Sequence, residues 1–141
     1  MAGETDLQKL ISGMKPEHNL GDYVFCTLEP GTNSGDISPL CSFQEKEGTT
    51  VILSKVQADK SGLAYSSICA WITLNVHSSL EAIGLTATVS HALAQAGISC
   101  NMVAAYYHDH LFVPVADADL ALKTLQNMTR HKYTESKEIV R

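Results

Sequence analysis

The chain has 141 residues, of which 45% are hydrophobic and 18% charged, with a net charge of -5 and a pI of about 5.6. That length suits one domain or two small ones, and the composition excludes a disordered, collagen-like or coiled-coil chain. Surplus acid disfavours non-specific binding to nucleic acid or anionic membrane, since both reward positive charge.

No stretch approaches the roughly 20 apolar residues of a membrane span. The opening Met1-Ala2-Gly3-Glu4-Thr5-Asp6 has neither the basic nor the apolar segment of a secretory signal, so a cytoplasmic protein is expected. Cys26, Cys41, Cys69 and Cys100 are far apart among apolar neighbours, with no CxxC pair, and read as small buried hydrophobes in a reducing compartment.

Thr5-Asp6-Leu7-Gln8 has the spacing of a capping box, with Thr5 as N-cap, and Leu7, Leu10, Ile11 and Met14 follow at helical spacing until Pro16. Residues 23–28 are rich in aromatic and β-branched types and predict a strand. Residues 29–35 carry turn chemistry, with Pro30, Gly31, Asn33, Ser34 and Gly35. Asp36 or Ser38 can cap a short helix starting near Pro39 and running through Leu40, Cys41, Phe43 and Gln44, closed by Gly48. Residues 49–53 predict a second strand and residues 56–61 a helical turn.

The second half is more sharply patterned. Residues 71–76 alternate, with Ile72, Leu74 and Val76 on one face, which predicts a half-buried strand. A loop over 77–84 leads to a helix carrying Leu85, Val89, Ala92, Leu93 and Ala96, closed by Gly97. Strands follow over 98–105 and 110–115, joined by a turn at 106–109. Asp117 can cap a final helix with Ala118, Ala121, Leu122, Leu125 and Met128 on its face. A last strand near Tyr133 would complete a βαββαβ order. The expected class is α+β: a ferredoxin-like antiparallel sheet with helices on one face, preceded by a diverged copy of the same unit. The expected domains are residues 1–67 and 68–135, with a tail over 136–141.

Residues 80–86 (Leu-Glu-Ala-Ile-Gly-Leu-Thr) followed by 92–99 (Ala-Leu-Ala-Gln-Ala-Gly-Ile-Ser) resemble the start of an ACT domain, a small amino-acid-sensing module. Ser78, Ser79 and the run 107–114 sharpen the resemblance to small bacterial tandem-ACT proteins of uncharacterised function. The chain is similar, more distantly, to the ACT repeats of cytosolic arginine sensors. The first half, through residues 5–10, 21–25, 43–50 and Gly62-Leu63, resembles the N-terminal half of that bacterial family.

The resemblance implies a loop glycine followed by a helix whose amides receive a ligand. The residues suit that chemistry. Gly84 permits close backbone approach, Leu85 and Thr86 offer first-turn N–H groups, and Thr86 adds a hydroxyl. Glu81 or Asp109 could accept from an ammonium. Asn101 can donate and accept, His108 is a further ligand-binding candidate, and Ser78 and Ser79 can bind a ligand or cap the loop. His108 and His110 form a His-x-His pair that could share a face of an extended strand, but a metal would need a third ligand such as His77 or His91. No nucleophile elbow, Walker loop or GxGxxG motif is present, so catalysis and cofactors are not expected.

The expectation is a non-catalytic, amino-acid-binding regulatory sensor of ACT type that forms a homodimer and acts on a protein partner. Two alternatives stand beside it. One is an interaction module that has lost its ligand. The other is a metal protein or enzyme built on His108, Asp109 and His110.

Overall fold

The computed structural model describes residues 3–32 and 35–130. The expected strand near Tyr133, the tail, and Asn33 and Ser34 of the first loop lie outside the described residues. The elements run α1 (Leu7–Gly13), β1 (Pro16–Leu28), β2 (Cys41–Gln44), β3 (Thr49–Ser54), α2 (Lys55–Lys60), β4 (Cys69–Leu74), α3 (Leu85–Gln95), β5 (Asn101–Ala104), β6 (Asp109–Pro114) and α4 (Ala118–Arg130). The strands form one six-stranded antiparallel sheet in the order β2-β3-β1-β4-β6-β5. The chain divides into two compact units: residues up to Asn19 with those from Trp71 onward, and Leu20–Ala70.

In the Leu20–Ala70 unit β3 lies between β1 and β2 and is antiparallel to both, so the chain leaves β1 for the far edge and returns through the middle. Tyr23 of β1 faces Ser54 of β3, and Gln44 of β2 faces Thr49 of β3. Alternate residues of β1 (Val24, Cys26, Leu28) meet Val51, Leu53 and Ala58 in a core edged by Ile37, Leu63, Tyr65 and Ile68. Here the helix expected from Pro39 to Gln44 is replaced by β2. Leu40 N–H donates to Ile52 O at 2.7 Å, and Glu45 N–H to Gly48 O at 2.9 Å closes the hairpin. A helix would need an apolar face to bury, but Phe43 is 72% exposed, and pairing with β3 supplies the backbone partners instead. The first half therefore reads α-β-β-β-α, not α-β-α-β-α.

The other unit shows the expected β-α-β-β-α order from β4 to α4. α1 packs on α3 and α4, and α3 on α4. Leu10, Ile11, Ile72, Leu74, Val89, Leu93, Leu111 and Leu125 are fully buried. Full burial of a Leu or Ile side chain stabilises by roughly 1.5–3 kcal/mol, which is what holds a short helix such as α1 in place.

Several details depart from expectation. Asp6, not Thr5, caps α1, its Oδ1 accepting from the Gln8 and Lys9 amides at 3.0 and 3.2 Å. It immediately precedes the first helical residue, and its charge complements the helix N-terminus. The helix stops at Gly13, and Pro16 opens β1, which starts before the predicted residue 23. Leu122 is only half-buried, because Ala118, Ala121 and Leu125 form the inward stripe of α4. Val76 lies beyond β4, and Thr73 on the strand's other face is also buried. Asp109 is not a turn residue but the first residue of β6.

Candidate functional site

The chain between β4 and α3 folds on itself through short hydrogen bonds. Val76 N–H donates to Leu74 O at 2.8 Å and Ser78 N–H to Val76 O at 3.0 Å. The Ser79 hydroxyl then accepts from the Glu81 amide at 3.1 Å, and the Ser79 carbonyl from the Ala82 amide at 2.9 Å. Serine suits such a turn because its short side chain satisfies the local backbone. Gly84 ends the loop as N-cap of α3, with φ 99° in the left-handed region and no side-chain cap for the helix amides. A β-carbon there would adopt a disfavoured conformation, so glycine is the natural residue. Leu85, 3% exposed, anchors the helix start in the core.

These residues enclose a cavity of about 120 Å³, lined by Ser78, Ser79, Gly84, Leu85, Thr86 and Asp109, with Leu80, Ala82 and Ala104 completing it. A water occupies roughly 10–15 Å³ on such a measure, so the space admits a small polar organic molecule. A neighbouring cavity of about 270 Å³ shares Ser78, Ser79 and Leu80 with it and adds Gly3, His77, Glu81 and Tyr106.

Asp109 arrives from β6 opposite Ala104 of β5. It is 8% exposed, and among the described residues no group donates a hydrogen bond to its carboxylate. Burial pushes its pKa above the usual carboxylate value, opposed by charge on His110 and His108. A largely buried carboxyl that faces a cavity is poorly solvated there, so a cationic donor entering the cavity makes a charge-assisted hydrogen bond that water replaces only in part. The α3 start supplies the opposite character: amide donors and a partial positive charge. One small cavity thus offers donors on one wall and an acceptor on another.

The other candidates fall around this centre. Glu81 is exposed and lines the outer cavity, not the inner one. Asn101 is exposed on β5 and pairs with Phe112, three residues from Ala104 and so on the opposite sheet face; it lines neither cavity. His108 sits in the hairpin connection, its carbonyl accepting from Ala105 N–H at 3.1 Å, and its Nδ1 is buried without a partner. His110 is committed elsewhere: its Nδ1 accepts from Trp71 Nε1 at 3.0 Å and lies 3.0 Å from Thr73 Oγ1. Asn19 Nδ2 donates to Thr73 Oγ1 at 2.9 Å. Burial holds the His110 pKa below its ordinary value. Among the described residues no three His, Cys, Asp or Glu side chains gather as a metal-binding group.

Sequence reasoning did not identify Leu80, Ala82 and Ala104 as cavity walls, nor Gly3 and Tyr106 of the outer cavity. The small pair Ala104-Ala105 before the hairpin was the available signal. The cysteines carry free thiols, all raised in pKa by burial, Cys100 to about 11. No helix among the described residues is long and apolar enough to cross a membrane.

Two family models, each described as an ACT domain, match residues 2–70 and 66–127. A search of curated proteins found no match. Among solved structures, the chain is similar to VC0802 from Vibrio cholerae, a protein of unknown function described as a possible transport protein. The two are 45% identical with a TM-score of 0.78, over 87% of this chain and 95% of that one. Atu0741 from Agrobacterium tumefaciens is 15% identical with a TM-score of 0.64, over 82% of this chain and 89% of that one. The ligand-free regulatory subunit of aspartate kinase from Thermus thermophilus is 10% identical with a TM-score of 0.57, over 80% of this chain and 95% of that one; it shares the fold. The β-α-β-β-α unit, the two consecutive family matches and the Vibrio relative agree: the chain belongs to the ACT domain family and carries two such domains in tandem.

Proposed function

We propose that this protein is a non-catalytic sensor that takes a free α-amino acid into the cavity between the α3 N-terminus and β6. The observation that carries the reading is the pairing, in one cavity, of an uncapped helix start with a buried carboxyl lacking a donor. A zwitterion matches both walls. Its carboxylate accepts from the Leu85 and Thr86 amides, with Ser78, Ser79 and the Thr86 hydroxyl within the same lining. Its ammonium donates to Asp109. Glu81, in the outer cavity, meets the ligand's far end. The fold shared with regulatory subunits of aspartate kinase supports a regulatory role. In a cytoplasmic homodimer, ligand would favour one packing of the subunits and change the surface offered to a protein partner, by reciprocal linkage.

The test is a thermal-shift screen of each proteinogenic amino acid at millimolar concentration, followed by calorimetry on wild type and Asp109→Asn. A ligand that binds only the native state stabilises it by mass action, by about 2.7 kcal/mol at a hundredfold excess over Kd, and so raises Tm. Asp109→Asn removes a charge-assisted hydrogen bond worth roughly 1.5–3 kcal/mol, so binding should weaken about tenfold or more. The same substitution should raise the Tm of the empty protein at neutral pH, because an unpaired buried charge is gone. No stabilising amino acid, or equal affinity in Asp109→Asn, overturns the reading. The first result would favour an interaction module, for which exposed Leu80, Ile83, Tyr106 and Tyr107 offer apolar surface.

A further inference from the structure

We propose that residues 3–7 form a strap that holds the 77–84 loop in its ligand-receiving shape, making the N-terminal segment a working part of the candidate site. The affinity arm of this proposal rests on the amino-acid reading above; its structural arm does not.

The strap grips the loop at both ends. At the near end, Glu4 N–H donates to His77 O at 2.8 Å, and Ser79 N–H donates to Glu4 O at 3.0 Å. Together they make a one-residue parallel bridge between Glu4 and Ser78. Gly3 approaches so closely that an added β-carbon would stand 2.6 Å from Ser78 C and Ser79 N, and 2.7 Å from His77 O. All three are backbone atoms, so no side-chain rotation relieves the overlap; either the strap or the loop must move. At the far end, a β-carbon on Gly84 would lie 3.2 Å from Leu7 Cδ2. Leu7 opens α1, whose Leu10 and Ile11 are buried, so the strap is fixed to the core.

Between the two grips lie Ser79, Leu80, Glu81 and Ala82, each of which lines one or both cavities. Gly3 itself lines the outer one. The loop's own hydrogen bonds span only neighbouring residues, which set local turns but not the distance from Ser78 to Gly84. The strap supplies that distance: it meets the loop at Ser78 and again at Gly84. A ligand that binds the docked loop therefore stabilises strap docking, and strap docking strengthens the ligand by the same factor. Gly3 and Glu4 are positioning residues; they act through backbone.

Native-state amide hydrogen exchange on the full chain decides the structural arm. Gly3→Ala forces the overlap, and Glu4→Pro removes the donor to His77 O. Both should speed exchange at the Ser79 and Ala82 amides by about tenfold or more while leaving interior α4 amides unchanged. Glu4→Gln keeps the backbone and should leave every rate as in wild type. Unchanged Ser79 and Ala82 rates in Gly3→Ala and Glu4→Pro would overturn the strap. For affinity, each amino acid that raises the wild-type Tm is titrated into the same variants. Binding about tenfold weaker or worse is expected, and equal affinity in a variant whose loop exchanges faster would reduce the strap to a support of the fold. If no amino acid raises the wild-type Tm, the ligand reading fails and the exchange rates alone still decide the strap.

Discussion

Helices α2 and α3 begin in opposite ways. β3 passes straight into α2, whose N-cap Ser54 accepts the Gln57 amide on its hydroxyl at 3.2 Å. Gln57 is occupied in turn: its Oε1 accepts from Ser38 N–H at 2.7 Å and its Nε2 donates to Ser38 O at 3.2 Å. The chain itself thus engages the start of α2. α3 starts from a left-handed glycine that brings no side chain, beside a cavity holding a buried carboxyl. The same backbone chemistry is spent on structure in one unit and left available in the other. The difference turns on serine against glycine at the N-cap, and on a loop long enough to leave space in front of the helix.

The comparison can be broken most severely through the platform under α3. Leu93, fully buried, should cost about 2–5 kcal/mol on truncation to Ala, through lost transfer free energy and the cavity left behind; denaturant unfolding measures it. A loss under 1 kcal/mol would mean the helix is not anchored as described. Gly84→Ala tests the open start directly. It places a β-carbon at φ 99° and 3.2 Å from Leu7 Cδ2, so it should cost about 1 kcal/mol or more and weaken amino-acid binding in calorimetry. Ser54→Ala tests the closed start. Removing that cap should cost about 1 kcal/mol, with amino-acid affinity unchanged.

The smallest expected effect is a pH slope. The folded-state pKa of His110 is depressed below 6.5, so the native state resists a proton that the unfolded state accepts. Stability from this group is present above 6.5 and is lost as pH falls below it. Asp109, with a raised pKa, acts in the opposite direction: the folded state favours its protonated form, so stability declines as pH rises above 3.8. Since Asp109 opposes His110, the readout is the difference: on going from about pH 7.5 to about 5.5 the Tm of wild type should drop relative to that of His110→Gln.

Much of the second unit was legible in the sequence, because its elements carry their own periodicity. Ile72 and Leu74 alternate, Leu85, Val89 and Leu93 keep helical spacing, and glycines stand at both ends of α3. The first half was harder to read because β2 has no burial pattern of its own; Ser42, Phe43 and Gln44 are all exposed, and only pairing with β3 makes them a strand. The site divides along the same line. Gly84, Leu85 and Thr86 follow from a local motif, and Ser78 and Ser79 lie close by. The burial of Asp109 depends on strand register, which also carries Asn101 to the other face. The grip of Glu4 on Ser78 joins distant parts of the chain, and no spacing in the sequence encodes it.

Trp71 is the single tryptophan of the chain, and its indole N–H is committed to His110 Nδ1 in the unit that holds the candidate cavity. The Leu20–Ala70 unit has tyrosines, Tyr23 and Tyr65, but no indole. The protein therefore carries a built-in optical label on one of its two modules. Indole emission follows the fate of that module alone, while backbone circular dichroism sums over both. Coincident midpoints would mean that the chain melts as one cooperative body, and a gap between them would measure how far one unit can come apart while the other stays folded.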